Sequence, residues 1–225
     1  MASILLHLCV SNIVKEELCL PNDFLVGSVL PDLLKLNGKD RNETHYNTKI
    51  QTNSDINFGL PNLEMFISKY EAKLTDYKTI GYYAHLVEDK IWFKKYIYNY
   101  ISQFKDEFKI NKVIENGDMD ILKPFWRRIY SDYDNNTKYV ISNYNLNLED
   151  ISKYIIDNLN DSMLVDCYKD YLKLLERKSE YEKVFYLTNE DVSNYVKDSV
   201  KEVKEKIKEL GGIYGKYCIT WWTYN

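Results

Sequence analysis

The stretch Gly81-Tyr82-Tyr83-Ala84-His85-Leu86-Val87-Glu88-Asp89, continued by Lys90-Ile91-Trp92, reads as helix from end to end. Tyr83, Ala84, Val87, Ile91 and Trp92 predict that this helix is mostly buried, inside a longer aromatic-rich helix from about Thr79 to Phe104. His85 and Asp89 are four positions apart, which places both side chains on one face, one turn from each other. An imidazole nitrogen and a carboxylate oxygen so placed can meet one metal ion at about 2.0–2.2 Å. On a surface helix such a pair is more often a plain ion pair. On a buried helix the carboxylate needs a cation or several donors, and a metal supplies that. Glu88 points about 100° away from Asp89, so it falls outside the expected ligand set.

Helical spacing continues in both directions. Ile4, Leu5, Leu8 and Val10 open a first helix that runs to about Glu17, and Leu20-Pro21-Asn22 breaks it. Phe24 to Leu34 forms a second apolar segment, interrupted at Pro31. Asn37 to Gly59 is polar and aperiodic, a long connection of the kind that is either disordered or functional. Pro61 is expected to start the next helix, and Pro124 another. Asn116-Gly117 marks a turn. Asp150 to Leu175 is strongly periodic. The last helix carries Val192, Val196, Val200, Val203, Ile207 and Leu210, with Thr188 and Asp191 as its capping box and Gly211-Gly212 as its end. No stretch shows convincing strand alternation and no repeat or domain boundary is visible. The expected fold is therefore all-α: a single-domain multi-helix bundle over residues 1–225. Its metal-binding segments lie within 1–105, and helices from 120–225 complete the core.

The 225 residues suffice for one sizeable core. The net charge is −4, with both signs interspersed, which disfavours a duplex nucleic acid as partner. Cys9, Cys19, Cys167 and Cys218 form no Cys-x-x-Cys pair. They read as buried free thiols of a reducing compartment, and a zinc ribbon is excluded. No secretory signal is visible in the sequence, and no apolar run reaches membrane-spanning length. A soluble, cytoplasmic protein is expected.

The chain has three histidines, His7, His45 and His85. His7 lies in the first apolar helix. Asp32 follows Pro31 at the end of a hydrophobic run. His45 lies in Arg41-Asn42-Glu43-Thr44-His45, within the long polar connection. Singly, each has a plainer reading: a core histidine, a cap and a solvated loop residue.

As an ordered set they resemble the zinc-dependent phospholipase C family, and at greater distance the P1-type nucleases. The resemblance runs through His7, Gly27-Ser28-Val29-Leu30-Pro31-Asp32, Thr44-His45 and Gly81-Tyr82-Tyr83-Ala84-His85-Leu86-Val87-Glu88-Asp89 with Trp92 after it. It covers roughly the first hundred residues. It implies that Asp32, His45, His85 and Asp89 surround one metal ion, with zinc as the expected metal. Asp89 would bridge to a second ion, which His7 also ligates, so that Asp32 and Asp89 are the catalytic carboxylates. Such ions activate water against a phosphoester.

The departures are specific. The secreted enzymes ligate metal through the amine of an N-terminal Trp, whereas this chain starts Met1-Ala2-Ser3. They also carry a second His pair and a Glu downstream, and no His follows His85 here. Asp132 and Asp134 are the nearest substitutes, although a polar helix end is the plainer reading. There is no room for the separate lipid-binding β-domain of some family toxins, so contact with a membrane is not expected.

The expected function is metal-dependent hydrolysis of a small phosphomonoester or phosphodiester, with one or two divalent ions and Arg41, Arg127 and Arg128 as candidate phosphate clamps. The rival is a non-catalytic helical protein with a structural metal or a ligand-binding site. A helical HD-type phosphohydrolase would need adjacent His and Asp, and no His-Asp dipeptide occurs. Trp221-Trp222 reads as an aromatic plug rather than a lipid contact.

Overall fold

Ser3 caps the first helix by accepting a hydrogen bond from the Leu6 N–H, and α1 runs Ile4–Glu17 as its spacing predicts. In the computed structural model, which describes residues 3–49, 55–115 and 117–213, 73% of those residues are helical and the helices pack in a single bundle-like domain. After α1 come α2 (Asp23–Leu36) and the short α3 (Arg41–His45). α4 (Leu63–Tyr70) and α5 (Tyr77–Ile91) follow. A π-helical segment, Trp92–Ile97, then leads into α6 (Tyr98–Phe108). The second half consists of α7 (Met119–Asn143), α8 (Leu148–Asn158), α9 (Ser162–Leu174) and α10 (Asn189–Ile213). Strands are minor: β1 (Asn47–Lys49) pairs antiparallel with β3 (Gly59–Pro61), and β2 (Ile56–Asn57) pairs parallel with β4 (Ile114–Glu115).

The core is built on α5. This helix is buried continuously from Thr79 to Asp89. It lies along α2, with α1 and α10 closing around the pair. Two glycines permit the contact. A Cβ on Gly27 would overlap the Lys78 carbonyl group, 2.7 Å from its carbon. A Cβ on Gly81 would overlap the Phe24 carbonyl, 3.0 Å from its carbon. Neither neighbour is a side chain that could swing away, so the two backbones touch only because both positions lack a side chain. Around this seam Leu8, Val10, Phe24, Val29, Leu33 and Leu86 are fully buried. Each contributes about 1.5–3 kcal/mol of transfer free energy relative to exposure.

Several local expectations change. Pro31 does not interrupt α2 but sits inside it. Its ring removes the hydrogen bond to the Gly27 carbonyl and loosens that turn. The long predicted helix from Thr79 becomes α5, a π-helical stretch and α6. Trp92 and Tyr96 stack across the widened turn, with ring centroids 5.4 Å apart. The polar connection folds its first part into α3, capped by the Asp40 side chain on the Asn42 N–H. Pro61 ends β3, and Asn62 caps α4. Pro124 lies in the second turn of α7, exposed, where water can take the carbonyl it leaves unpaired. The periodic stretch from Asp150 splits between Asn158 and Ser162, where Asp161 caps α9. The Thr188–Asp191 box forms as expected, each residue's side chain accepting from the other's backbone N–H. Gly211 does not stop α10, because it keeps a helical backbone rather than the left-handed one that terminates helices. Of the cysteines, Cys9 is buried, Cys167 half-buried and Cys19 exposed. Cys218, Asn116 and the Trp221-Trp222 plug lie outside the described residues.

The glycine seam makes a direct prediction. Gly81→Ala should lower stability by about 3 kcal/mol, because a methyl group forced into a backbone contact must separate α2 from α5. Urea unfolding reads this as a lower midpoint with an unchanged slope. An unmoved midpoint would show that the helices are not in contact there.

Candidate metal centre

Four helices deliver the five residues singled out in the sequence to one place. α1 supplies His7, α2 supplies Asp32, α3 supplies His45, and α5 supplies His85 and Asp89. His7, His45, His85 and Asp89 are each 0% exposed, and Asp32 is 2% exposed. The His45 and His85 Nε2 atoms are 3.3 Å apart. His45 Nε2 is 3.3 Å from Asp32 Oδ1 and 3.7 Å from Asp89 Oδ2. His85 Nε2 is 4.0 Å from Asp32 Oδ1, and His7 Nε2 is 3.6 Å from Asp89 Oδ1. A tetrahedral ion with bonds of about 2.0–2.1 Å holds its ligand atoms about 3.3–3.4 Å apart. Two of the separations match that figure and the other three extend to 4.0 Å. Two triads, His7/Asp32/His85 and His45/His85/Asp89, could each hold a metal ion, with ligand atoms within 4.8 Å of one another.

The opposite edge of each imidazole is tied down. His85 Nδ1–H donates to the Ser28 carbonyl at 2.8 Å, in the turn that Pro31 loosens. A carbonyl can only accept, so Nδ1 carries the proton and Nε2 presents its lone pair. His45 Nδ1 meets Thr44 Oγ1 at 2.8 Å, and that hydroxyl donates onward to the Arg41 carbonyl. His7 Nδ1 meets Glu88 Oε2 at 2.9 Å, with Ser11 also donating to Glu88. Outer partners of this kind fix the tautomer and aim of metal-binding histidines. His7 and His85 are stacked, ring centroids 3.8 Å apart. The His7 Nε2 atom is buried and has no hydrogen-bond partner. It is aimed at the centre 3.6 Å from Asp89 Oδ1, and an ion there would take the place of the proton that the neighbouring carboxylates draw onto His7.

The charges suit a bound cation. Burial works against ionisation of Asp32, but the His45 hydrogen bond and the surrounding histidines hold its carboxyl below the usual range. Asp89 is also held low against the penalty of burial, chiefly by His7. Burial, with His7 beside it, pushes His85 down to about 3 and keeps it neutral. Burial also disfavours a charge on His7, yet Glu88 and Asp89 together raise it to about 10. Without a metal, a proton on His7 neutralises part of the buried negative charge.

Glu88 was excluded by its direction on the helix, and it does point away from the shared ligand face. His7 enters from the other side and lies between Glu88 and Asp89, so Glu88 acts as its orienting partner. Its fully buried position was the signal, visible only in the density of apolar neighbours around it.

A cavity of about 850 Å³ reaches this cluster on the side of Asp32 and Arg41. Its wall is aromatic, with Phe58, Phe93, Trp126, Tyr130, Tyr133 and Tyr171. Arg41 lies over Phe93 and brings Nη2 to 3.4 Å from Asp89 Oδ2. Lys35, which the sequence did not single out, lines the same cavity. The other two predicted clamps are engaged elsewhere. Arg127 reaches the rim but pairs with Glu180. Arg128 is absent from the cavity lining; it grips Glu107 through both oxygens and lies over Phe108 and Phe185. Asp132 and Asp134 do not build a second centre. Asp132 accepts the backbone N–H groups of Phe185, Tyr186 and Leu187 at 2.8–3.0 Å, and Asp134 pairs with Arg177.

No helix among the described residues is long and apolar enough to cross a membrane. No protein-family model, no curated protein and no solved structure matches the chain.

The geometry predicts that the protein binds a divalent metal ion such as zinc and loses that binding in the variant His85→Ala. Glu88→Gln keeps the five ligand atoms but weakens the hold on His7, and zinc affinity should fall about 10- to 100-fold. Competition with a chelating dye measures both. Equal zinc affinity in Glu88→Gln and the parent would remove Glu88 from the centre.

Proposed function

We propose that the chain is a metal-dependent phosphohydrolase that cleaves a phosphomonoester or phosphodiester with water. The observation that supports this reading is the junction of a histidine–carboxylate centre with a large cavity, at Asp32 and Arg41. The order of the ligand motifs, which resembles the zinc-dependent phospholipase C family, supports it independently.

One imidazole nitrogen has one lone pair, and His85 belongs to both triads. The two triads are therefore two faces of a single coordination volume, and one ion, zinc by its nitrogen and oxygen donors, suffices. When bound, such an ion lowers the pKa of water and draws electron density from a phosphoryl oxygen.

The remaining work falls to side chains of the chain itself. Asp32 is the one member of the five that also lines the cavity, so the reacting water belongs on its side. Arg41 faces the cavity from beside Asp89 and can neutralise charge that develops on phosphoryl oxygens. The aromatic wall receives the organic part of the ester and keeps bulk water from the reacting atoms. Glu88, Thr44 and the Ser28 carbonyl hold the three imidazoles in the geometry that the reaction needs.

A second reading has its own observation. The three histidines and Asp89 are fully enclosed and do not line the cavity. A closed coordination sphere favours a structural ion that fastens α1, α2, α3 and α5 together.

Turnover separates the two readings. The zinc- or manganese-supplied protein should hydrolyse p-nitrophenyl phosphate or bis(p-nitrophenyl) phosphate. Asp89→Asn should reduce the rate at least about 100-fold, and chelation should abolish it. Activity that survives both treatments contradicts the proposal. Stoichiometric ion with no turnover favours the structural reading.

A further inference from the structure

Five basic side chains line the cavity: Lys35, Arg41, Lys123, Arg127 and Arg177. Arg127 and Arg177 are neutralised by Glu180 and Asp134, and Lys123 is exposed. Lys35 differs from all of these. It lies one turn beyond Asp32 on α2, is half-buried, and makes no hydrogen bond or ion pair among the described residues. Spacings of three place two side chains on the same stretch of a helix surface, so Lys35 and Asp32 address the same cavity together. Arg41 stands across from them, held between Phe93 and Asp89. A half-buried ammonium within ion-pairing distance of no carboxylate, on which Asp32 and Asp89 act only at longer range, can take up an anion in the cavity.

The number of cationic groups limits what that anion can be. A phosphodiester has two unsubstituted oxygens, whereas a phosphomonoester has three. One cavity end collects three separate attractions: the ion's side at Asp32, the guanidinium of Arg41 and the ammonium of Lys35. Three terminal oxygens match them one for one, and a diester would leave one cation unanswered. The aromatic wall extends from the same end and suits an apolar or aryl ester group.

Resting on the phosphohydrolase reading above, we infer that Lys35 and Arg41 form a phosphoryl clamp and that the site takes the terminal phosphoryl group of a monoester rather than a diester. The guanidinium offers fixed donors and the ammonium a point charge, the two ways in which proteins hold phosphate.

The test is binding, read by calorimetry on the zinc-loaded protein, with phenyl phosphate and diphenyl phosphate as probes. The parent should bind phenyl phosphate at least tenfold more tightly than diphenyl phosphate. Lys35→Met removes the charge and keeps the length. It should weaken phenyl phosphate roughly 10- to 100-fold, change diphenyl phosphate by less than about threefold, and leave the zinc content at the parent level. Lys35→Arg should recover most of the lost affinity. Equal affinity of parent and Lys35→Met for phenyl phosphate, with zinc in place, overturns the clamp alone. Equal affinity of the parent for the two probes overturns the monoester assignment. A parent that binds no zinc overturns the metal centre, and the inference with it.

Discussion

Two glycines, Gly27 and Gly81, let the backbones of α2 and α5 come into contact, and the geometry of the centre follows from that contact. Asp32 lies five residues beyond one glycine and His85 four beyond the other. With the backbones pressed together, the carboxylate of one helix and the imidazole of its neighbour are 4.0 Å apart. Pro31 adds to the effect by loosening the turn in which the Ser28 carbonyl accepts from His85. A bulkier residue at either glycine would spread the helices, and the ligand atoms would separate with them. The packing that stabilises the bundle is thus also what positions the chemistry.

The centre runs against the ordinary economy of a core. Asp32, Glu88 and Asp89 are carboxylates at positions with almost no access to water, and ionised groups there are tolerated only when paired. The protein answers with three imidazoles, Arg41 and a proton on His7. That arrangement leaves the His7 Nε2 face-on to Asp89 without a hydrogen bond. An ion at the centre would satisfy the orphaned nitrogen and both ligand carboxylates at once, and would add stability by mass action, about 2.7 kcal/mol at a hundredfold excess over its dissociation constant. Burial, pairing and ligand aim all suit a cation held between α1, α2, α3 and α5.

Much of the helical layout was legible because apolar spacing speaks for it directly. α1 and the capping box of α10 fall where their residues place them. The departures share a cause: tertiary contacts overrode a local rule. Pro31 reads as a break and Pro124 as a helix start, but each sits inside its helix, held there by the packing of the turns on either side. Gly211 was read as a stop, but nothing there demands a left-handed backbone. α3 was hidden in a polar stretch because its stability comes from the Asp40 cap and from what Thr44 and His45 bury. At the centre, the His85–Asp89 spacing was readable from helical geometry, and the membership of His7, Asp32 and His45 came from their order along the chain. Glu88, Thr44 and Lys35 were not readable. Their roles depend on which residues of other helices face them, and an amphipathic pattern does not carry that information. Arg128 shows the converse: it reads as a candidate phosphate clamp, but its guanidinium is taken up by Glu107.

Five side chains converge where one ion would sit. Anomalous diffraction at the zinc absorption edge, from crystals grown with zinc, tests this most directly. The predicted result is a single strong peak within about 2.0–2.2 Å of Nε2 atoms of the histidines and oxygens of Asp32 or Asp89, with every Nδ1 still on its outer partner. A peak elsewhere on the protein, or none at this position while His7 Nε2 stays unpartnered, would contradict it.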